Sequence, residues 1–390
     1  MTRTECPACT SADLRIFHEQ LGIPVNSCLL LDDVDDARAF PRGDLVLAFC
    51  RSCGFIFNTA FDVGQSEYSA RYEETQGFSP RFREFAQELA ASWVARHDLA
   101  GKSVLEIGCG KGEFLVEMLK AGAGSGIGID PSFRADRMDD PTAQRIEWIA
   151  DFYGEKYSNL EADAIVCRHT LEHISPVGEF VGMIERTIRR PDTVVLFELP
   201  DVARVLEEVA FWDVYYEHCS YFSLGSMARL FRRNGFDLTH LATAFDDQYL
   251  LLDCVPGTGE GPALPGEDDL ARLGAAVDHF EREYPRSIER LRGEIRDAAH
   301  SGRRAVIWGA GSKGVSYLTT LGLQDEIGYA VDINPFKQGM FMAGTGQEVV
   351  SPDFLQRYEP DLVVAMNSIY LDEIRAELDR IGVAAELVGA

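Results

Sequence analysis

"SVLEIGCGKGEFLVEMLKAGAGSGIGIDPS", residues 103–132, is the stretch whose reading decides the fold. An apolar run, three alternating glycines, a helical pattern, a second apolar run and a terminal acid follow one another without interruption. That order spells strand, glycine loop, helix and strand, the opening unit of a parallel, doubly wound α/β sheet. Gly108, Gly110 and Gly112 let backbone approach a ligand closely. Asp130 lies beyond the second strand, where an acid can grip a ribose.

Two ligand classes use such a loop. A dinucleotide loop reads G-x-G-x-x-G to admit a pyrophosphate. Here the pattern is E-x-G-x-G-x-G, with Glu106 at the strand end and no third glycine at the x-x-G spacing. An acid there repels a pyrophosphate and suits the positively charged methionine end of S-adenosylmethionine. The loop therefore reads as that of a methyltransferase. The residues expected around the cofactor are Glu106, Gly108, Gly110, Gly112 and Phe114 from the loop and its helix. Asp130 and Pro131 follow the second strand, Asp151 and Phe152 the third, and His169 the fourth.

The alternation continues outward. "RIEWIADFY" predicts a third strand ending at Asp151, "ADAIVCRHTLEHI" a fourth ending near His169, and "DTVVLFELPD" a fifth. "FDLTHLATAF" and "QYLLLDCVPG" read as a closing hairpin. A Gly/Pro-rich link, residues 255–269, precedes apolar residues at helical spacing from Leu270 to Ile295, predicting a helix kinked or broken at Pro285. "RRAVIWGAGSKGVSYLTTLG" then repeats strand, glycine loop and helix, and "PDLVVAMNS" and "AAELVGA" add strands. The expected organisation is a four-cysteine zinc-binding domain (1–75), a class I methyltransferase doubly wound sheet (76–256), a linker and helix (257–299) and a Rossmann-like α/β substrate-binding domain (300–390).

The first of these units rests on "CPAC" at 6–9 and "CRSCG" at 50–54. Each pair places two thiolates on a tight turn, and two such turns complete a tetrahedral all-thiolate site. No open coordination position or spare acid stands nearby, so Cys6, Cys9, Cys50 and Cys53 are read as ligands of a structural zinc. The segment between them is expected to fold, with "SCLLLDD" and "DLVLAFC" as strands. The nine cysteines are an odd number, which argues against a disulfide framework.

Totals narrow the partners. A net charge of −26 repels phosphate backbones and argues against nucleic-acid binding. No apolar run reaches the roughly 18–20 residues that span a bilayer, and the N-terminus has no apolar signal core. A cytoplasmic location, no membrane partner, a small-molecule acceptor and a monomer or weak dimer are expected. One stretch stays open on these grounds: "DVYYEHCSYFS", residues 213–223, is either a buried aromatic patch holding a polar pair or the place where a proton is moved.

Paired cysteine knuckles, the methyltransferase loop, "YYEHCSYFS" and "GAGSKG…VDINPFKQGMFMAGT" stand in one order along nearly the whole chain. That order resembles the sugar C-methyltransferases of antibiotic biosynthesis, natural-product enzymes that methylate the third carbon of a nucleotide-linked 4-keto deoxysugar. The resemblance implies that His218 of the Y-x-E-H element is the base, with Tyr215 and Glu217 beside it. It also implies that the C-terminal domain helps to hold the nucleotide sugar. A histidine suits this work, since a carbon next to a ketone becomes nucleophilic by losing a proton near neutral pH. Tyr68 and Tyr72 are expected to reach the same pocket, as is His173 after the fourth strand. Lys313 and Lys337, with the second glycine loop, are expected to hold a phosphate. The sequence departs from the family where "WGAGSKGVSYL" stands for the usual "GYGAPAKGNTLL" and "VVAMNSIYLDEI" for a Trp-Asn segment. Methyl transfer to oxygen, nitrogen or another carbon of a small metabolite stays open as an alternative, and so does a non-catalytic binding protein.

Overall fold

The computed structural model describes residues 3–65 and 72–390, so Tyr68 lies outside the described residues. Three sheets organise the chain. The largest has seven strands in the order Phe236–Ala244, Tyr249–Pro256, Val194–Pro200, Ala164–Arg168, Ser103–Ile107, Ser125–Ile129 and Ile146–Ile149. The last five run parallel, and Tyr249–Pro256 runs antiparallel to both of its neighbours. The order reverses beside Ser103–Ile107, so the carboxyl ends of the strands open a crevice over the first glycine loop. This is the doubly wound sheet with a closing hairpin that the periodicity predicted.

The C-terminal sheet is wholly parallel, ordered Glu348–Val350, Ile327–Val331, Ala305–Trp308, Leu362–Ala365 and Glu386–Gly389. Its first turn opens with the same backbone bond as that of the larger sheet. Gly108 N–H donates to Ile129 O and Gly309 N–H to Val331 O, both at 2.8 Å.

The third sheet belongs to the N-terminal region but borrows its last strand: Leu14–Pro24, Arg42–Cys50, Ile56–Asn58 and then Ser220–Tyr221. The residues directly after His218 are thus a strand of the cysteine-bearing sheet. "SCLLLDD" forms no strand, contrary to expectation. Asn26 Oδ1 accepts the N–H groups of Cys28 and Leu29, curling the chain, and Leu29 and Leu31 make only isolated bridges to Tyr72 and Phe341.

The helix Leu270–His300 runs through Pro285 as one element. Proline costs one backbone hydrogen bond, and burial of Leu273, Val277, Phe280, Ile288, Leu291 and Ile295 outweighs it. This helix packs on the strand Leu14–Pro24, where Phe280 meets Phe17 and His18 edge-on, and on the C-terminal sheet. One apolar core consequently runs from the N-terminal sheet through this helix into the C-terminal sheet. No helix among the described residues is long and apolar enough to cross a membrane.

Candidate active site and four-cysteine centre

A cavity of about 990 Å³ lies where the three sheets meet. One wall is the first glycine loop. Gly108 takes φ +72°, and a Cβ there would fall 2.0 Å from Thr170 Oγ1, so only glycine fits this turn. Gly110 N–H donates to Asp130 Oδ2 (2.9 Å) and Ser132 N–H to Asp130 Oδ1 (2.6 Å). Asp130 therefore fastens the loop to the second strand while it borders the cavity. Pro131, Asp151, Phe152 and His169 also border it. Lys156 and Tyr157 hold the half-buried Asp151 carboxylate down at about 2. Gly112 does not line the cavity. It starts the helix Glu113–Lys120 at φ +86° and leaves room for the Trp148 ring, 2.4 Å from where its Cβ would stand.

Glu106 is 2% exposed, with Oε2 buried and unpartnered. Burial raises its carboxyl to about 8, Arg168 opposing. Phe114, buried against Trp93, carries the Arg168 guanidinium 3.9 Å from its ring centroid. Arg168 Nε donates to Glu198 (2.5 Å), and His169 Nε2 lies 2.9 Å from the other oxygen of that carboxylate. Burial disfavours ionised Glu198, yet these two partners hold it at about 2. Arg168 and Glu198 escaped the sequence reading. Their signal was there, since "AIVCR" and "VVLFELP" each place one charge at the end of an otherwise apolar strand. The orphaned oxygen of Glu106 and the glycine turn over it fit the polar end and ribose of S-adenosylmethionine.

The opposite wall answers what residues 213–223 are. Tyr215 Oη and His218 Nε2 are 3.0 Å apart, and the His173 ring meets His218 edge-on with centroids 4.7 Å apart. His173 Nδ1–H donates to the Glu217 carbonyl (3.1 Å). Burial, followed by the charges of His173, His169 and Lys313, pushes His218 well below 6.5, so the imidazole is neutral at pH 7 and able to take a proton. Tyr72 borders the same cavity.

Glu217 sits elsewhere than its place in Y-x-E-H led us to expect. It is not among the residues lining the cavity. Its Oε2 accepts both the N–H (3.0 Å) and the hydroxyl of Ser27, and the Tyr72 hydroxyl bonds the same carboxylate. The Ser27 hydroxyl oxygen in turn accepts from Ser312 Oγ (2.7 Å) at the start of the helix Ser312–Leu321. Glu217 thus joins the N-terminal loop to the C-terminal unit rather than orienting His218.

Lys313 and Lys337 border the cavity, and each is paired with an acid. Lys313 Nζ lies 2.5 Å from Asp213 Oδ1, and Asp213 also takes Arg204 at 2.6 Å. Lys337 Nζ lies 3.4 Å from Asp332 Oδ2. Burial lowers Lys313 despite its partner. For Lys337 burial works the same way, but Asp332 and other acidic neighbours hold it above its ordinary value.

At the far end of the N-terminal sheet, Cys6 and Cys53 sulfurs are 3.7 Å apart and those of Cys9 and Cys50 3.6 Å. All four are buried, with sulfurs within 4.8 Å of one another. A tetrahedron with Zn–S bonds of about 2.3 Å has edges of about 3.8 Å, so the donor set fits zinc. The two knuckles share a backbone turn: Cys6 O accepts Thr10 N–H and Cys50 O accepts Gly54 N–H, both at 2.8 Å.

Comparison with known proteins agrees with this geometry. A methyltransferase domain family matches residues 82–241, and the C-methyltransferase C-terminal domain family matches residues 270–385. C-methyltransferase NovU of Streptomyces niveus is 25% identical over 362 residues, covering 88% of this chain and 85% of that protein. A tRNA U34 carboxymethyltransferase of Stutzerimonas stutzeri (strain A1501) is 36% identical over 90 residues, 20% of this chain and 28% of its own. The solved 1,6-didemethyltoxoflavin-N1-methyltransferase of Burkholderia thailandensis superposes with a TM-score of 0.34 at 17% identity, over 46% of this chain and 81% of that one. With a methyltransferase domain and the C-methyltransferase C-terminal domain in tandem, the chain is an S-adenosylmethionine-dependent methyltransferase, similar along most of its length to a C-methyltransferase.

Proposed function

We propose that the protein methylates a carbon next to a ketone in a nucleotide-linked 4-keto deoxysugar or a closely similar acceptor. The observation that carries this reading is the hydrogen-bonded pair of half-buried Tyr215 and buried His218 on the cavity wall across from the glycine loop. A neutral imidazole there takes the proton from the acceptor's α-carbon, and the electrons of the broken C–H bond pass into an enolate. Tyr215, fixed at Nε2, sets which ring nitrogen is available. S-adenosylmethionine supplies the methyl group as an electrophile. The four cysteines hold a structural zinc, which keeps the sheet carrying Ser220–Tyr221 in place.

The test uses the acceptor alone in deuterated water. Wild-type enzyme should exchange the α-proton without the methyl donor, and His218→Ala should not. Exchange that persists in the variant while methylation is lost would move the base elsewhere, with His173 the next candidate.

A second reading, an acceptor without a diphosphate, is favoured by one observation: Lys313 and Lys337 already face Asp213 and Asp332. A neutral, truncated ketone turned over as efficiently as a nucleotide sugar would establish it.

A further inference from the structure

Arg168 ends the strand Ala164–Arg168, directly beside the strand that carries Glu106. Only 8% of the residue is exposed, and it is fixed on two sides. Nε donates to Glu198, and the guanidinium plane covers Phe114. Its Nη2 is nevertheless buried without a hydrogen-bond partner, as is Oε2 of Glu106. Both residues border the cavity at the glycine loop. Each orphaned polar atom costs about 1–3 kcal/mol, and buried polar groups in folded proteins are almost always partnered. Glu198 already answers the charge of Arg168, so what Nη2 lacks is an acceptor that arrives from the cavity. Glu106, one strand away, lacks a donor. An unfilled donor and an unfilled acceptor on adjacent strands complement a carboxylate and an ammonium on one carbon.

We propose that Arg168 reads the α-carboxylate of the cofactor's amino-acid end while Glu106 takes its ammonium. Glu198 and Phe114 are then positioning residues that hold the guanidinium rigid. The proposal rests on the cofactor and is independent of the acceptor.

Calorimetric affinities for three ligands test it: S-adenosylhomocysteine, its carboxamide, and 5′-methylthioadenosine, which lacks the amino-acid end. Wild-type protein should prefer them in that order. Arg168→Met should lose roughly 10- to 100-fold on S-adenosylhomocysteine, the scale of a charge-assisted hydrogen bond. It should bind methylthioadenosine unchanged and no longer separate acid from carboxamide. Because Arg168→Met leaves Glu198 buried and unpaired, the double variant Arg168→Met/Glu198→Gln carries the same test if the single one does not fold. An equal loss on all three ligands would mean that Arg168 only supports the fold, and an undiminished preference for the acid would place the carboxylate elsewhere. Either result overturns the proposal. Wild-type protein that binds none of the three would overturn the cofactor assignment itself.

Discussion

Asp130 and Asp332 hold the same position in two successive glycine-loop units. Each accepts an N–H from its glycine loop, Gly110 at 2.9 Å and Ala310 at 3.0 Å, and the N–H of the residue two places on, Ser132 at 2.6 Å and Asn334 at 2.9 Å. The chain has thus built a related glycine turn twice and aimed both at a single cavity.

That duplication should be separable by mutation. Asp130→Asn should weaken S-adenosylmethionine by about 1.5–3 kcal/mol, the range for a hydrogen bond to a charged group, with little change in acceptor affinity. Asp332→Asn should show the converse in Michaelis constants. A single variant that weakens both ligands equally would mean that the two loops do not act apart.

His218→Ala should leave cofactor binding nearly intact and lower turnover by roughly 10²–10⁴-fold. Tyr215→Phe should cost less, because it frees Nε2 without removing the base. Single-turnover rates at saturating cofactor measure both.

Elemental analysis should find one zinc per chain. Removing it with a chelator should abolish turnover while S-adenosylmethionine still binds, because Ser220 and Tyr221 pair with Phe57 and Ile56 of the cysteine-bearing sheet. A metal-free protein that is folded and fully active would defeat the structural assignment.

Stability should fall as pH rises from about 7 to about 8. Burial raises Glu106 and Glu172 to about 8, against roughly 4.3 in the unfolded chain. Above about 7, where burial also places Glu74, Asp201 and Glu217, the folded protein still holds two protons that the unfolded chain has released, so each step up in pH favours unfolding until both acids ionise. Urea midpoints should show the decline in wild-type protein and its near disappearance in Glu106→Gln/Glu172→Gln.

Much of this was legible in the residues, for particular reasons. The glycine loop, the strand–helix alternation and the paired cysteines are local signals, and each element formed where its period placed it. "SCLLLDD" misled because an apolar run reads as a strand, whereas Asn26 turned the chain by capturing two of its amides. Glu217 was misread because its partner, Ser27, lies 190 residues away, a separation no spacing rule spans. Lys111 is another such case. It anchors the carbonyls of Tyr72 (2.7 Å) and Ser132 (3.0 Å) beneath the cofactor loop, a role that composition does not disclose.

The borrowed strand Ser220–Tyr221 bears on how such enzymes can be recombined. Swapping the first sixty-odd residues for those of a relative looks like exchange of a self-contained module. In fact it would replace three strands of a sheet whose fourth begins two residues after the proposed base. A viable chimera must carry residues 211–222 from the same parent as the cysteine knuckles, and natural variation in the two segments should be inherited as one block.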